Sequence, residues 1–229
     1  MRLSGEYRDK GEYHKNLDKN WPYYPVYLEK MAFVKKILRD LDRKSKILDA
    51  GCGEGILVEE LKKEGFDIIG LDYNYSSKYV KKGSIFDMPF KDETFDVILC
   101  LDVIEHLNFE EQEKTLKEIN RVAKKNALII LSIPNLAHLA SRISFLFLGK
   151  LLRTSDIKRH KGDRPFAEYK NIIKKYFKIK KIRGLFPTCP IISILTLKIP
   201  SKVVWLHKIY NSILAIPSIS FQNIYICRK

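Results

Sequence analysis

The sequence predicts an α/β protein, a mostly parallel sheet with helices on both faces. Three observations predict it. From Lys46 onward, short β-rich runs alternate with amphipathic helical stretches, the pattern of strand–helix–strand units. Residues 97–101 are apolar throughout, as suits a strand covered on both faces. A glycine-rich turn, Gly51-Cys-Gly-Glu-Gly55, separates the first strand from the first helix, the place where open α/β sheets put a ligand loop.

Each element follows from its residues. Residues 1–45 are rich in aromatics (Tyr7, Tyr13, Trp21, Tyr23, Tyr24 and Tyr27) and lead into a helix over 27–41. Lys46-Ile-Leu-Asp-Ala is the first strand. Residues 55–64 form a helix, with Ile56, Leu57 and Leu61 among charges. Residues 67–72 are the second strand, 78–87 hold a third, and 94–101 are a fourth. Residues 110–125 read as an amphipathic helix, with Leu116, Ile119, Val122 and Ala123 three and four apart. A fifth strand over 127–133 stops at Pro134. Beyond it the pattern is least regular. Strands are expected at 177–183 and 223–227.

Composition narrows the class. With 229 residues, 45% of them hydrophobic, the chain can bury a core. The longest apolar runs, 143–149 and 189–197, fall short of the roughly 20 residues that span a bilayer. The first 19 residues are charged throughout and do not form a secretory signal. Cys52, Cys100, Cys189 and Cys227 lie far apart, without metal-ligand spacing. They read as thiols of a cytoplasmic protein, with no metal. The net charge of +15 is lopsided. Residues 1–135 hold 23 Lys/Arg against 24 Asp/Glu, whereas residues 136–229 hold 19 against 3. Either the closing half carries a solvated lysine surface, or it meets something anionic.

The chemistry is concentrated at strand ends. Asp49 opens the glycine turn. A dinucleotide loop, G-x-G-x-x-G, would need glycine at position 56, and Ile56 stands there, which disfavours NAD. Asp72 ends the second strand, where an acid can accept hydrogen bonds from two ribose hydroxyls. Asp87 ends the third, where a carboxylate can accept from an adenine amino group, with Phe86 and Met88 placed to sandwich the ring. Three acids at three successive strand ends are hard to explain as turn residues.

The stretch Ile47-Leu-Asp-Ala-Gly-Cys-Gly-Glu-Gly resembles motif I of class I S-adenosylmethionine-dependent methyltransferases. Asp72 and Asp87 fall at the positions of that family's ribose- and adenine-binding acids. Residues 90–98, Leu101-Asp-Val-Ile-Glu-His-Leu107 and Ser132-Ile-Pro-Asn135 resemble its later motifs in order. Within the family the chain looks closest to the ubiquinone-pathway and small-molecule branch. The resemblance implies a Rossmann-like seven-stranded sheet with its last strand antiparallel. It implies S-adenosylmethionine as cofactor and S-adenosylhomocysteine as product. Backbone around Ala50, Gly51 and Gly53 would hold the methionine part, Asp72 the ribose and Asp87 the adenine, with Asp49, Cys52, Tyr73 and Met88 also at the cofactor. Leu101 would offer its carbonyl to the cofactor's amino group. The chain is then one methyltransferase domain over 1–229. Residues 1–45 would be an aromatic lid and helix, 46–135 the cofactor core, and 136–229 a basic substrate-side segment with the closing strands.

Methyl transfer asks the protein mainly to position the acceptor and handle its proton. His106, after the fourth strand, is the first candidate base, because imidazole changes charge near neutral pH. His160, in Lys158-Arg-His-Lys161, is the second; its alternative is a solvated basic loop. The basic, greasy closing half suits a small-molecule or lipid-like acceptor, such as a polyprenyl compound, and peripheral contact with an anionic membrane. An RNA acceptor would also use basic charge, but no RNA module or Asn-Pro-Pro-Tyr-like motif is present. A fold that binds cofactor without turnover is the other alternative.

Overall fold

The computed structural model describes residues 15–153, 155 and 157–229. The aromatic positions Tyr7 and Tyr13 lie outside them. Seven strands form one sheet in the order β3-β2-β1-β4-β5-β7-β6. They are β1 (Ile47–Ala50), β2 (Ile68–Asp72), β3 (Val80–Lys82), β4 (Phe95–Leu101), β5 (Ala123–Pro134), β6 (Lys178–Pro187) and β7 (Ser220–Arg228). β1 pairs in parallel with β2 and β4, aligning Ile47 with Ile68 and with Val97. β7 runs antiparallel between β5 and β6, as the resemblance implied.

Alternation along the central strands divides the core between the two faces. Leu48, Ile98, Cys100, Ile129 and Leu131 point to one side. There α3 (Phe109–Val122) and α5 (Phe166–Lys174) cover them with Leu116, Ile119, Tyr169 and Ile173. Ile47, Val97, Leu99, Leu128 and Ile130 point to the other side. That face is closed by α1 (Tyr24–Arg39), α2 (Ile56–Lys63) and α7 (Val204–Ile213).

Several expected boundaries move for identifiable reasons. α1 begins at Tyr24, three residues before the expected start, with Pro25 in its first turn, where a missing N–H costs nothing. α3 begins at Phe109, because Asn108 and Glu111 form a reciprocal capping box. It ends at Val122, because Ala123 already pairs with Phe95 as the start of a twelve-residue β5. In the irregular closing half the described residues form four α-helices: α4 (Leu139–Leu148), α5, α6 (Pro190–Lys198) and α7. Both sheet edges are blunted. β3 is three residues long, and β6 carries exposed Lys178, Lys180 and Lys181. Short or lysine-studded edges resist pairing with other chains.

Candidate functional site

The site forms at the carboxyl edge of the parallel strands. After β1 the backbone turns through left-handed glycines at Gly51, Gly53 and Gly55. At Gly51 the demand is twofold: φ is +78°, and a Cβ there would meet Val103 at 2.5 Å. The loop is tied down by its own N–H groups. Gly51 and Cys52 donate to the Leu71 carbonyl at 2.7 and 3.2 Å. Gly53 donates to Asp72 Oδ2 at 2.9 Å. With those donors engaged, the loop is not a cradle of N–H groups for phosphate. It offers a close backbone approach instead.

Asp72 is anchored at the end of β2. Its Oδ1 accepts from the Asn74 and Tyr75 N–H groups at 2.8 and 3.1 Å. A carboxylate has about four acceptor positions, so three backbone bonds leave capacity for a ribose hydroxyl. Burial raises its carboxyl above the ordinary range, against those three hydrogen bonds. Tyr73 beside it is exposed.

The carboxyl edge is rich in acids. Asp49, Glu54, Asp72 and Glu105 are buried, and Asp102 is partly covered at the end of β4. Burial, and then the charge of Asp72, push the Asp49 carboxyl up to about 7, although Lys30 opposes this. Burial and the charge of Asp102 hold Glu105 well above the usual carboxylate range. Asp102 goes the other way. Burial would raise it, but the Lys30 ammonium and hydrogen bonds from Lys30, Ser132 and Tyr23 outweigh burial and lower it. Ser132 donates at 2.6 Å, Gln222 at 2.7 Å and Tyr23 at 3.1 Å. Asp102 has φ 56°, a left-handed turn that Asp tolerates better than most residues.

Beyond Asp102 a short 3-10 turn, Ile104–His106, aims His106 toward His160. Their rings meet edge to face with centroids 4.8 Å apart. His106 Nδ1 lies 3.1 Å from the Arg159 carbonyl. A carbonyl only accepts, so this bond puts the proton on Nδ1 and makes Nε2 the basic nitrogen. His160 Nδ1 lies 3.2 Å from Asp163 Oδ1. His160 is buried, which corrects the expectation of a solvated basic loop. Ligand atoms of Glu105, His106 and His160 lie within 4.8 Å of one another, close enough to converge on one cation. The cysteine spacing gave no hint of such a cluster.

Other expected residues fall where the strands put them. Asp49 and Ala50 close β1, and Leu101 closes β4, half-buried. Cys52 is half-buried beside the loop, under Gly70, where a Cβ would lie 2.4 Å from its sulfur. Asp87 is exposed in the loop after β3. Met88 departs from the expectation. Its side chain is buried in the core with Leu71 and Ile85. Its N–H donates to Glu118 at 2.9 Å, and its carbonyl accepts from Arg121 at 3.0 Å. Met88 is therefore not a wall for an adenine ring, because that position would cost its core packing. Sequence reasoning missed Lys30 and quoted Asn135 only as the end of a motif, without a role. Lys30 left a signal, a lysine in the apolar stripe Val26, Val34, Leu38. Asn135 spans two loops, donating to Ser220 O at 3.0 Å and accepting from Phe166 N at 2.9 Å.

These residues fit S-adenosylmethionine. Its sulfonium and ammonium groups suit a pocket of buried carboxylates, and its ribose suits a carboxylate with acceptor capacity left. The decisive comparison is with protein families. A family described as a methyltransferase domain matches residues 24–178, more than half the chain. The chain belongs to that family. The family is one of methyltransferase domains, and the sheet has the Rossmann-like order that the resemblance to class I S-adenosylmethionine-dependent methyltransferases implied.

Individual relatives of this methyltransferase are distant. An uncharacterized protein of Methanocaldococcus jannaschii is 33% identical over 94 residues, covering 39% of this chain and 40% of its own. A ubiquinone biosynthesis O-methyltransferase of Rickettsia conorii is 25% identical over 170 residues, covering 67% and 58%. The chain thus spans about half the length of these two relatives. A SAM-dependent methyltransferase structure from Archaeoglobus fulgidus aligns with TM-score 0.60 at 23% identity, over 90% of this chain and 100% of that one. A protein of Pyrococcus horikoshii aligns with TM-score 0.62 at 16% identity, over 98% and 99%. At these identities the structures share the fold.

Proposed function

We propose that this methyltransferase methylates a hydroxyl group of a small, lipid-like acceptor. The observation that carries the reading is the meeting, at one carboxyl edge, of the glycine loop, Asp72 and the His106–His160 pair. Relatives named for O-methyl transfer in ubiquinone biosynthesis support a hydroxyl acceptor.

When bound, the cofactor supplies a methyl group on a positively charged sulfur, open to in-line attack. Asp72 accepts from the ribose hydroxyls, with its carboxylate held by the Gly53, Asn74 and Tyr75 N–H groups. Asp87, exposed in the loop after β3, would accept from the adenine amino group. Ala50, Gly51 and the Leu101 carbonyl would hold the methionine part, and Asp49 would offer a carboxylate to its cationic groups. His106 takes the acceptor proton on Nε2, since the Arg159 carbonyl fixes its other proton on Nδ1. His160, oriented by Asp163, walls the same space.

Calorimetric titration with S-adenosylmethionine and S-adenosylhomocysteine tests the cofactor half. Wild type is expected to bind both, and Asp72→Asn neither. Failure of well-folded wild type to bind would sink the reading. For the base, His106→Gln is expected to lower kcat about 100-fold or more, with the cofactor Kd unchanged. An unchanged kcat would remove His106 from the chemistry. Binding without turnover on any hydroxylated lipid would leave the non-catalytic alternative.

A further inference from the structure

Three helices carry most of the large apolar side chains that face solvent. They are α4, α6 and α7. Leu146, Phe147, Leu148, Ile191 and Ile213 are each 72–77% exposed, and Trp205 is 62% exposed. Proteins that stay in water rarely display so much apolar helix surface.

The topology gathers these helices on one side of the molecule. α4 follows the end of β5, α6 follows the end of β6, and α7 precedes the start of the antiparallel β7. α4 and α6 therefore start, and α7 leads back, at the carboxyl edge, the edge that also carries the glycine loop and His106, while α7 itself packs against α1 and β6. Hydrogen bonds pin them at one corner. The Ala140 N–H donates to Thr188 Oγ1 at 2.8 Å, just ahead of α6. The Leu139 N–H donates to the Ile219 carbonyl at 3.0 Å, and Arg142 to the Ser218 carbonyl at 2.7 Å, both just after α7.

Charge selects the occupant. None of the three helices contains an acid, and the chain has no Asp or Glu after Glu168. Exposed Arg142, Lys150 and Arg153 flank the apolar tip of α4, and Lys198, Lys202 and Lys208 border α6 and α7. A second copy would bring like charges together. Length excludes spanning: α4 has ten residues, about 15 Å of helix against a hydrocarbon core of roughly 30 Å. No helix among the described residues is long and apolar enough to cross a membrane.

We propose that α4, α6 and α7 dock the protein on the surface of an anionic lipid bilayer. Phe147, Leu148, Ile191 and Ile213 enter the acyl boundary. Lys150, Lys198, Lys202 and Lys208 reach back to the headgroups, and Trp205 lies at the interface. The carboxyl edge then faces the bilayer. The proposal concerns binding alone and stands whether or not the acceptor is a lipid.

Vesicle flotation of the full chain tests it. Vesicles of phosphatidylcholine mixed with phosphatidylglycerol are expected to carry the protein upward, and phosphatidylcholine vesicles much less. The double variant Leu146→Glu/Leu148→Glu, and separately Ile191→Glu, are expected to lower partitioning by about tenfold or more. Both variants should keep the wild-type melting temperature and cofactor affinity, because the altered side chains face solvent. In a Trp21→Phe background, Trp205 emission should shift to the blue on adding the anionic vesicles. Wild type left at the bottom of the gradient would overturn the proposal. So would variants that float like wild type, or a dimer by sedimentation velocity that dissociates on Ile191→Glu and ignores vesicles.

Discussion

At Gly51 the backbone is left-handed and Val103 leaves no room for a methyl group. Gly51→Ala is expected to lose about 2 kcal/mol of stability, from strain and overlap together, and to abolish cofactor binding. A chemical-denaturation midpoint equal to wild type would contradict this. Asp49 makes the opposite case, a residue kept at a cost to the fold. Its carboxyl titrates near 7 in the folded protein and near 3.9 in an unfolded chain. The folded state holds the proton more tightly, so this contribution is full below about pH 4 and is lost as pH rises through about 7. Asp49→Asn is therefore expected to raise stability at pH 8, by as much as about 4 kcal/mol, with little change at pH 4. It should weaken S-adenosylmethionine, because a cationic ligand loses a carboxylate. The check is a pair of melting curves and a titration. Asp72 was legible as a site acid because it ends a strand. The roles of Asp102 and Glu105 were not, because both depend on Lys30, Tyr23 and Gln222, which approach from distant parts of the chain.

The α1 helix shows what an element's pattern holds. Its stripe of Val26, Lys30, Val34 and Leu38 puts one ammonium among hydrocarbons. A cation there must meet an anion, and the structure supplies Asp102. Lys30→Met would leave that carboxylate with hydrogen bonds but no counter-charge. A loss of about 3 kcal/mol is expected, read as a lower denaturation midpoint; Lys30→Met melting like wild type would refute the coupling. Core strands were legible because a parallel sheet buries both faces, so residues 97–101 of β4 read as an unbroken apolar run. α4, α6 and α7 were not. Their residues are apolar where a helix of a soluble domain would be polar, and periodicity fails when the exposed face is greasy too. Met88 misled for a related reason, since a methionine beside a site acid looks the same in sequence whether it faces a ligand or the core.

Over the whole molecule, two of the buried histidines, His138 and His207, weaken the fold in acid. Burial pushes His138 and His207 down to about 4. His138 accepts from the Ser141 N–H and meets Thr188 Oγ1 at 2.9 Å; His207 meets Thr196 Oγ1 at 2.8 Å. Both depressed values favour the neutral ring in the fold. Their stabilisation is complete above about pH 6.5 and is lost as pH falls toward 4. Each contributes at most about 3 kcal/mol to that fall. Melting temperature is expected to drop steeply between pH 6.5 and 4 in wild type, and less steeply in His207→Leu. Parallel curves for the two proteins would show that the acid response lies elsewhere. The uneven charge was visible in composition alone. Its meaning depended on where the chain carries the last 94 residues: α4 and α6 leave the carboxyl edge, whereas Lys178, Lys180, Lys181 and Arg228 lie toward the opposite end of the sheet.

The position of β7 bears on how the protein is made. Residues 220–228 lie between β5 and β6, yet they leave the ribosome after both. Until they emerge, β5 presents an apolar edge with no neighbour on that side, and β6 has nothing to pair with. The parallel half can assemble during synthesis, but the sheet closes only when its late-arriving seventh strand slots into the gap. A ribosome stalled before residue 220 would hold out an unfinished, sticky edge, the kind of nascent surface that chaperones cover.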